Sequence, residues 1–170
     1  MQRVQLIMIC GHNEKLRADL HAMQTKAPTL VEGFTPNVAD YMSLADFFIG
    51  KPGPGSISEA LQFHLPVIVE RNQRTMPQER YNTEWVAEKR LGVVLPSFGD
   101  IAQGVEQLLR PETFPELRAN ARAYSNRALF EIPSILDEVL ERHVPGSVPV
   151  SSAYTDSQTV GRGAAWAGST

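Results

Sequence analysis

Five short apolar runs, each followed by a helix-like segment, constrain this chain more than any other feature. Val4–Cys10 ("VQLIMIC") is apolar apart from Gln5, as a strand covered on both faces should be. "TLVEGF" (Thr29–Phe34), "DFFIG" (Asp46–Gly50), "LPVIVE" (Leu65–Glu70) and "VVLP" read as further strands. Between them lie amphipathic segments. "GHNEKLRADLHAMQ" has Leu16, Leu20 and Met23 at helical spacing, and "TPNVADYMSLA" turns Val38, Tyr41 and Met42 inward. "ISEALQFH" stops before Pro66. "PQERYNTEWVAEKR" is closed by Gly92 as its C-terminal glycine, with Tyr81 and Trp85 facing the core. Helices run from an N-cap at Asp100 to about His143, interrupted by Pro111, Pro115 and Pro133. This alternation predicts an α/β fold, a parallel sheet flanked by helices on both faces.

At 170 residues, 42% of them hydrophobic, the chain has material for one core. Residues 1–144 read as that domain. From 145 to 170 the sequence turns rich in Ser, Gly, Ala and Thr, with little to pack, and reads as a disordered tail. A net charge of −3 argues against nucleic acid as a partner. The single cysteine, Cys10, forbids an internal disulfide and suits a reducing, cytoplasmic setting. No apolar run is long enough for a signal peptide or a membrane span, so any membrane contact is expected to be peripheral.

Chemistry concentrates in "GKPGPGSISEAL", Gly50–Leu61. Parallel α/β sheets bind ligands at the C-terminal ends of their strands, and this loop follows "DFFIG". Gly53 and Gly55 let backbone approach a ligand closely, while Ser56 opens a helix whose first N–H groups lack internal partners. That is an anion site suited to phosphate. It is not a Walker loop, because Lys51 precedes the glycines. It is not a dinucleotide fingerprint either, because Ser58 stands where the third glycine belongs. Glu59 has two readings. "SISE" matches a capping box, in which Glu59 bonds back to the Ser56 backbone. Alternatively, its two oxygens accept from the adjacent hydroxyls of a ribose.

"TMPQERYN" (Thr75–Asn82) follows the next strand, at the same sheet edge. Gln78, Glu79 and Asn82 recur at helical spacing, and amides with a carboxylate suit sugar hydroxyls. Capping by Thr75, with Gln78 three residues on, is the competing explanation. "CGHNEKL" adds Gly11 and His12 as further polar contacts, although His12 reads more simply as an exposed loop histidine than as a base. No HxxxH or CxxC spacing points to a metal.

In order, "CGHNEKL", "GFTPNVADYMSLADFFIGKPGPGSISEAL", "LPVIVE" and "PQERYNTEWV" resemble the C-terminal, donor-binding domain of glycosyltransferase family 28. That family has the GT-B fold, in two Rossmann-like halves. It includes the enzyme adding N-acetylglucosamine to lipid-linked muramyl peptide and the monogalactosyldiacylglycerol synthases. "ICGHNEKL" and "GKPGPGSISEAL" resemble the diacylglycerol branch more. The resemblance covers roughly Val4 to Val144 and implies a UDP-sugar as substrate, with no cofactor and no bound metal. Phe34 and Thr35 would meet the uracil through backbone groups. Gly53, Pro54, Gly55 and Ser56 would surround the diphosphate, Glu59 would take the ribose, and Gln78 and Glu79 the hexose. Gly11, His12 and Lys51 would be additional donor contacts. Glu79 stands where the family often has a second Gln.

The reaction so implied is inverting transfer of a hexose to a lipid acceptor such as diacylglycerol. The family holds its acceptor and general base in an N-terminal domain that this sequence does not contain. Its usual first strand and glycine loop would also precede Val4, so the expected chain is a fragment or a donor subunit completed by another chain. No catalytic base is assigned among the residues present. Two other readings share the fold: a non-catalytic interaction module, and a UDP-sugar 2-epimerase-like enzyme.

Overall fold

The computed structural model describes residues 4–125 and 127–143. The chain divides into two compact units, Met1–Asn126 and Arg127–Thr170. The tail expected over 145–170 lies outside the described residues.

The first unit is a run of strand–helix repeats: β1 (Leu6–Ile9), α1 (Glu14–Ala22), β2 (Thr29–Glu32), α2 (Val38–Leu44), β3 (Phe48–Ile49), α3 (Pro54–Gln62), β4 (Val67–Glu70), α4 (Pro77–Glu88) and β5 (Gly92–Leu95). A 3-10 turn at Phe98–Asp100, α5 (Ile101–Leu108) and α6 (Thr113–Ala123) complete it. All pairings are parallel, as strands joined through helical crossovers must be. The fold is therefore α/β, with parallel sheets flanked by helices, as in the C-terminal half of a GT-B fold.

One expectation fails. The strands form two sheets, β1–β2 and β3–β4–β5, rather than one. β4 sits between two neighbours, and Val67, Ile68 and Val69 have no exposed surface. Among the described residues β1 pairs with β2 alone, and Ile7 and Ile9 remain 36% and 40% exposed despite their apolar run. The apolar stripe of α1 is likewise not covered: Leu16 and Met23 are exposed, and no residue of that helix is buried.

The main core gathers Met42 of α2, Ile57, Ala60 and Leu61 of α3, Val67 and Val69 of β4, Val86 of α4, Leu91, and Ala121 of α6. A second cluster packs Ile68, Val93 and Leu95 against Leu108 and Leu117 on the sheet's other side. Trp85 is half-buried, edge-on to Tyr124 at 5.2 Å. Tyr81 is 68% exposed, contrary to expectation, because its position on α4 points away from Val86 and Thr83, which are buried.

Gly92 also departs from its expected role. It opens β5 opposite Val67, and the left-handed residue that ends α4 is Arg90, at φ 51°. A Cβ on Gly92 would run into the Val67 backbone, so the glycine serves strand packing rather than a helix cap.

The second unit contains α7 (Ala128–His143), in which Pro133 is accommodated within the helix and Ile132, Ile135, Leu136, Val139 and Leu140 are exposed. Among the described residues, no helix is long and apolar enough to cross a membrane.

Candidate functional site

The loop after β3 is held at two ends. Gly50 N–H donates to the Ile68 carbonyl at 3.1 Å, where pairing with β4 finishes, and Ile57 N–H donates to Gly53 at 3.1 Å, where α3 begins. Gly53 is the N-cap of α3 and Pro54 its first residue, a position where a fixed φ helps and a missing N–H costs nothing. Ser56 therefore lies inside the first turn instead of preceding it. This removes the capping box: Glu59 is in the second turn, too far along the helix to bond back to the N-cap. No side chain caps this helix, which leaves the amides of Gly55 and Ser56 facing outward with the positive end of the dipole. Pro54 contributes no donor.

The two glycines of this turn are not required by the fold. Gly53 has an ordinary φ of −67°. A Cβ on Gly55 would meet nothing within 4 Å, and one on Gly53 only the Ser56 hydroxyl at 3.9 Å. Inside a helix, where Gly55 stands, glycine lowers stability relative to alanine by about 0.5–1 kcal/mol, whereas at the N-cap, where Gly53 stands, glycine is preferred to alanine. What the absent side chains provide is open approach to backbone. Gly11 is a different case: its φ of +56° is the left-handed turn after β1, which is sufficient reason for glycine there.

Glu59, Pro54, Gly55 and Ser56 are all exposed, and Glu59 lies one turn beyond Gly55, on the same face. Lys51, also exposed, flanks the loop. Asn82 reaches it from α4, donating through Nδ2 to the carbonyl of buried Pro52 at 2.8 Å.

The start of α4 is organised by its own loop. Met76 is the N-cap and Pro77 the first residue, so Thr75 does not cap the helix. Thr75 instead accepts from Asn72 N–H at 2.9 Å, and Arg80 donates back to the Thr75 and Gln73 carbonyls at 3.2 and 3.3 Å. Glu70, at the end of β4, accepts from the Asn72 amide and from Phe98 N–H, each at 2.6 Å. Gln78 is exposed and Glu79 half-buried on the first turn so fixed, and a carboxylate there suits the helix dipole. Reading the sequence missed Glu70 and Arg80 as fasteners of this loop. An acid closing an otherwise apolar strand was the available signal for Glu70.

A second grouping sits at the ends of β1 and β2. His12 and Phe34 stack with ring centroids 4.3 Å apart and planes 11° from parallel, and Phe34 is 63% exposed. Thr35 accepts from Asn37 N–H at 3.1 Å, so its hydroxyl shapes the turn. Asn13 caps α1 by accepting from Leu16 N–H at 3.0 Å. Tyr41 has its phenol pKa raised, by desolvation first and by the neighbouring Glu32 carboxylate second.

The candidates thus form two groups, Gly11–His12–Phe34–Thr35 and Lys51–Gly53–Pro54–Gly55–Ser56–Glu59 with Gln78, Glu79 and Asn82. Each lies at the C-terminal edge of its own sheet. The α2 helix connects the sheets in sequence and packs Met42 into the core beside α3. Neither group is enclosed. One shallow hollow of about 350 Å³ is lined by Arg71, Asn72, Gln73 and Arg80, and another of about 250 Å³ by Lys89, Leu91, Asn120, Ala123 and Tyr124. The glycine loop, where the open amides are, lies outside both. Among the described residues, no three His, Cys, Asp or Glu side chains cluster as metal ligands would.

The glycosyltransferase family 28 C-terminal domain model matches residues 1–139. Monogalactosyldiacylglycerol synthase, chloroplastic, from Spinacia oleracea is 34% identical over 143 residues, covering 82% of this chain and 27% of that protein. Monogalactosyldiacylglycerol synthase 2, chloroplastic, from Arabidopsis thaliana is 34% identical over 144 residues, covering 83% of this chain and 30% of that protein. This chain therefore spans less than a third of the length of these relatives.

Proposed function

We propose, from the premise that this chain belongs to the glycosyltransferase family 28 C-terminal domain family, that it binds the UDP-hexose donor of an enzyme transferring sugar to a lipid. The relatives are named for making a galactosylated diacylglycerol, which supports a galactosyl donor and a diacylglycerol-type acceptor. The observation that carries the reading is the start of α3: a helix with no side-chain cap, begun by two glycines at which a Cβ would meet no close neighbour.

In this reading the amides of Gly53, Gly55 and Ser56 hold the diphosphate and Glu59 accepts from the ribose hydroxyls. Uracil lies by Phe34 and Thr35, with the exposed Phe34–His12 stack beside it. Gln78 and Glu79 contact the hexose, and Asn82 belongs to the same stretch of α4. The acceptor hydroxyl loses its proton to a base and attacks the anomeric carbon with inversion. The bond from that carbon to the β-phosphate oxygen breaks, and its electrons leave with UDP. Negative charge grows on the diphosphate at that moment. The preoriented amides and the dipole of α3 stabilise it where it develops, with Lys51 as a neighbouring cation. The base and the acceptor pocket are assigned to an acceptor-binding domain, in the same polypeptide or a partner chain.

Calorimetric titration with UDP and with GDP tests the donor assignment. UDP is expected to bind and GDP to bind far more weakly. Equal affinities, or no binding of either, would contradict it.

A further inference from the structure

We infer that Asn82 is a positioning residue, which holds the glycine loop in its ligand-ready shape and couples that loop to the sugar-contacting turn of α4. The inference rests on the loop being the diphosphate cradle and gives Asn82 a role other than direct sugar contact.

A carbonyl oxygen can only accept, so the atom of Asn82 facing Pro52 at 2.8 Å must be the amide nitrogen. The bond spans 30 residues of sequence, is itself part-buried, and reaches the carbonyl of a buried residue. Pro52 lies between the two fixed ends of the loop, the Gly50–Ile68 and Ile57–Gly53 bonds. Proline cannot donate, and the next residue, Gly53, must turn so that the amides beyond it point outward. Pinning the Pro52 carbonyl fixes the peptide plane from which Gly53 departs. The pin comes from α4, four residues after Gln78 and three after Glu79, so the diphosphate and hexose contacts share one support. Asn82 is half-buried, and its donor is already committed in the unliganded protein.

Two substitutions separate positioning from sugar contact. Asn82→Ala is expected to weaken UDP and UDP-galactose by the same factor, about three- to tenfold for one lost hydrogen bond. Asn82→Asp keeps the shape and the acceptor that a sugar would meet, yet sets a carboxylate against the Pro52 carbonyl. It is expected to bind both ligands more weakly than Asn82→Ala does. A loss confined to UDP-galactose, or an Asn82→Asp protein that binds as the unsubstituted protein does, would overturn the inference.

A ligand-free readout keeps the inference separate from the donor assignment. In ¹⁵N spectra without nucleotide, Asn82→Ala is expected to shift or broaden the amides of Gly53, Gly55 and Ser56 and leave those of β4 and β5 in place. Unmoved loop amides would overturn the positioning role. Shifted amides in a protein that binds no UDP would support it and overturn only the donor assignment.

Discussion

Glu59 and the glycines beside it show how one local detail decides between two chemistries. A capping glutamate lowers stability when removed; a ligand-binding one does not. With Gly53 as the N-cap and Glu59 exposed, Glu59→Ala is expected to change folding stability by less than about 0.5 kcal/mol. UDP affinity should fall about tenfold or more, since two hydrogen bonds to a charged acceptor disappear. Urea titration and calorimetry on the same protein check both halves. Glycines divide in the same way. Gly55→Ala should fold normally, because its Cβ meets nothing, and should lose UDP binding because that methyl stands in the approach to the amides. Gly92→Ala should cost about 3 kcal/mol or more in a urea melt, because its Cβ has the Val67 carbon and nitrogen at 2.7 and 2.8 Å.

At the level of elements, the β4–β5 core and the β1–β2 pair differ in how they are held. Val67, Ile68 and Val69 are enclosed from both sides by α3, α4, α5 and α6, whereas β1 has one partner and half-exposed side chains. Hydrogen exchange is expected to be slowest in β4 and β5 and at least about tenfold faster in β1, β2 and α1, with local opening setting the difference. Equal protection across both sheets would contradict this. The sequence pattern made every strand of the first unit legible, because apolar runs of this length between amphipathic segments have few other solutions. It did not reveal the split sheet, since Val4–Cys10 is as apolar as an interior strand and only the missing neighbour leaves it exposed. Helix starts were misplaced for a related reason. Ser56 and Thr75 carry the side chains of N-caps, but Pro54 and Pro77 fix the first helical residue, leaving Gly53 and Met76 as the caps. The candidate loop and the α4 turn were legible from residue type and order. The Asn82–Pro52 bond was not, because it joins residues 30 apart, and no local pattern records it.

At the scale of the molecule, both core clusters found among the described residues belong to the first unit. Nucleotide ligands of parallel α/β sheets sit at strand ends, and here those ends form an open edge. The central claim is that backbone amides at the start of α3 grip the diphosphate of a uridine nucleotide. The most direct measurement is a ¹⁵N amide map of the protein titrated with UDP. Large, saturable shifts are expected at Gly53, Gly55 and Ser56, with smaller ones near Phe34 and Thr35. Shifts confined to other surfaces, such as the hollow beside Lys89, Asn120 and Tyr124, with the α3 amides unmoved, would contradict it.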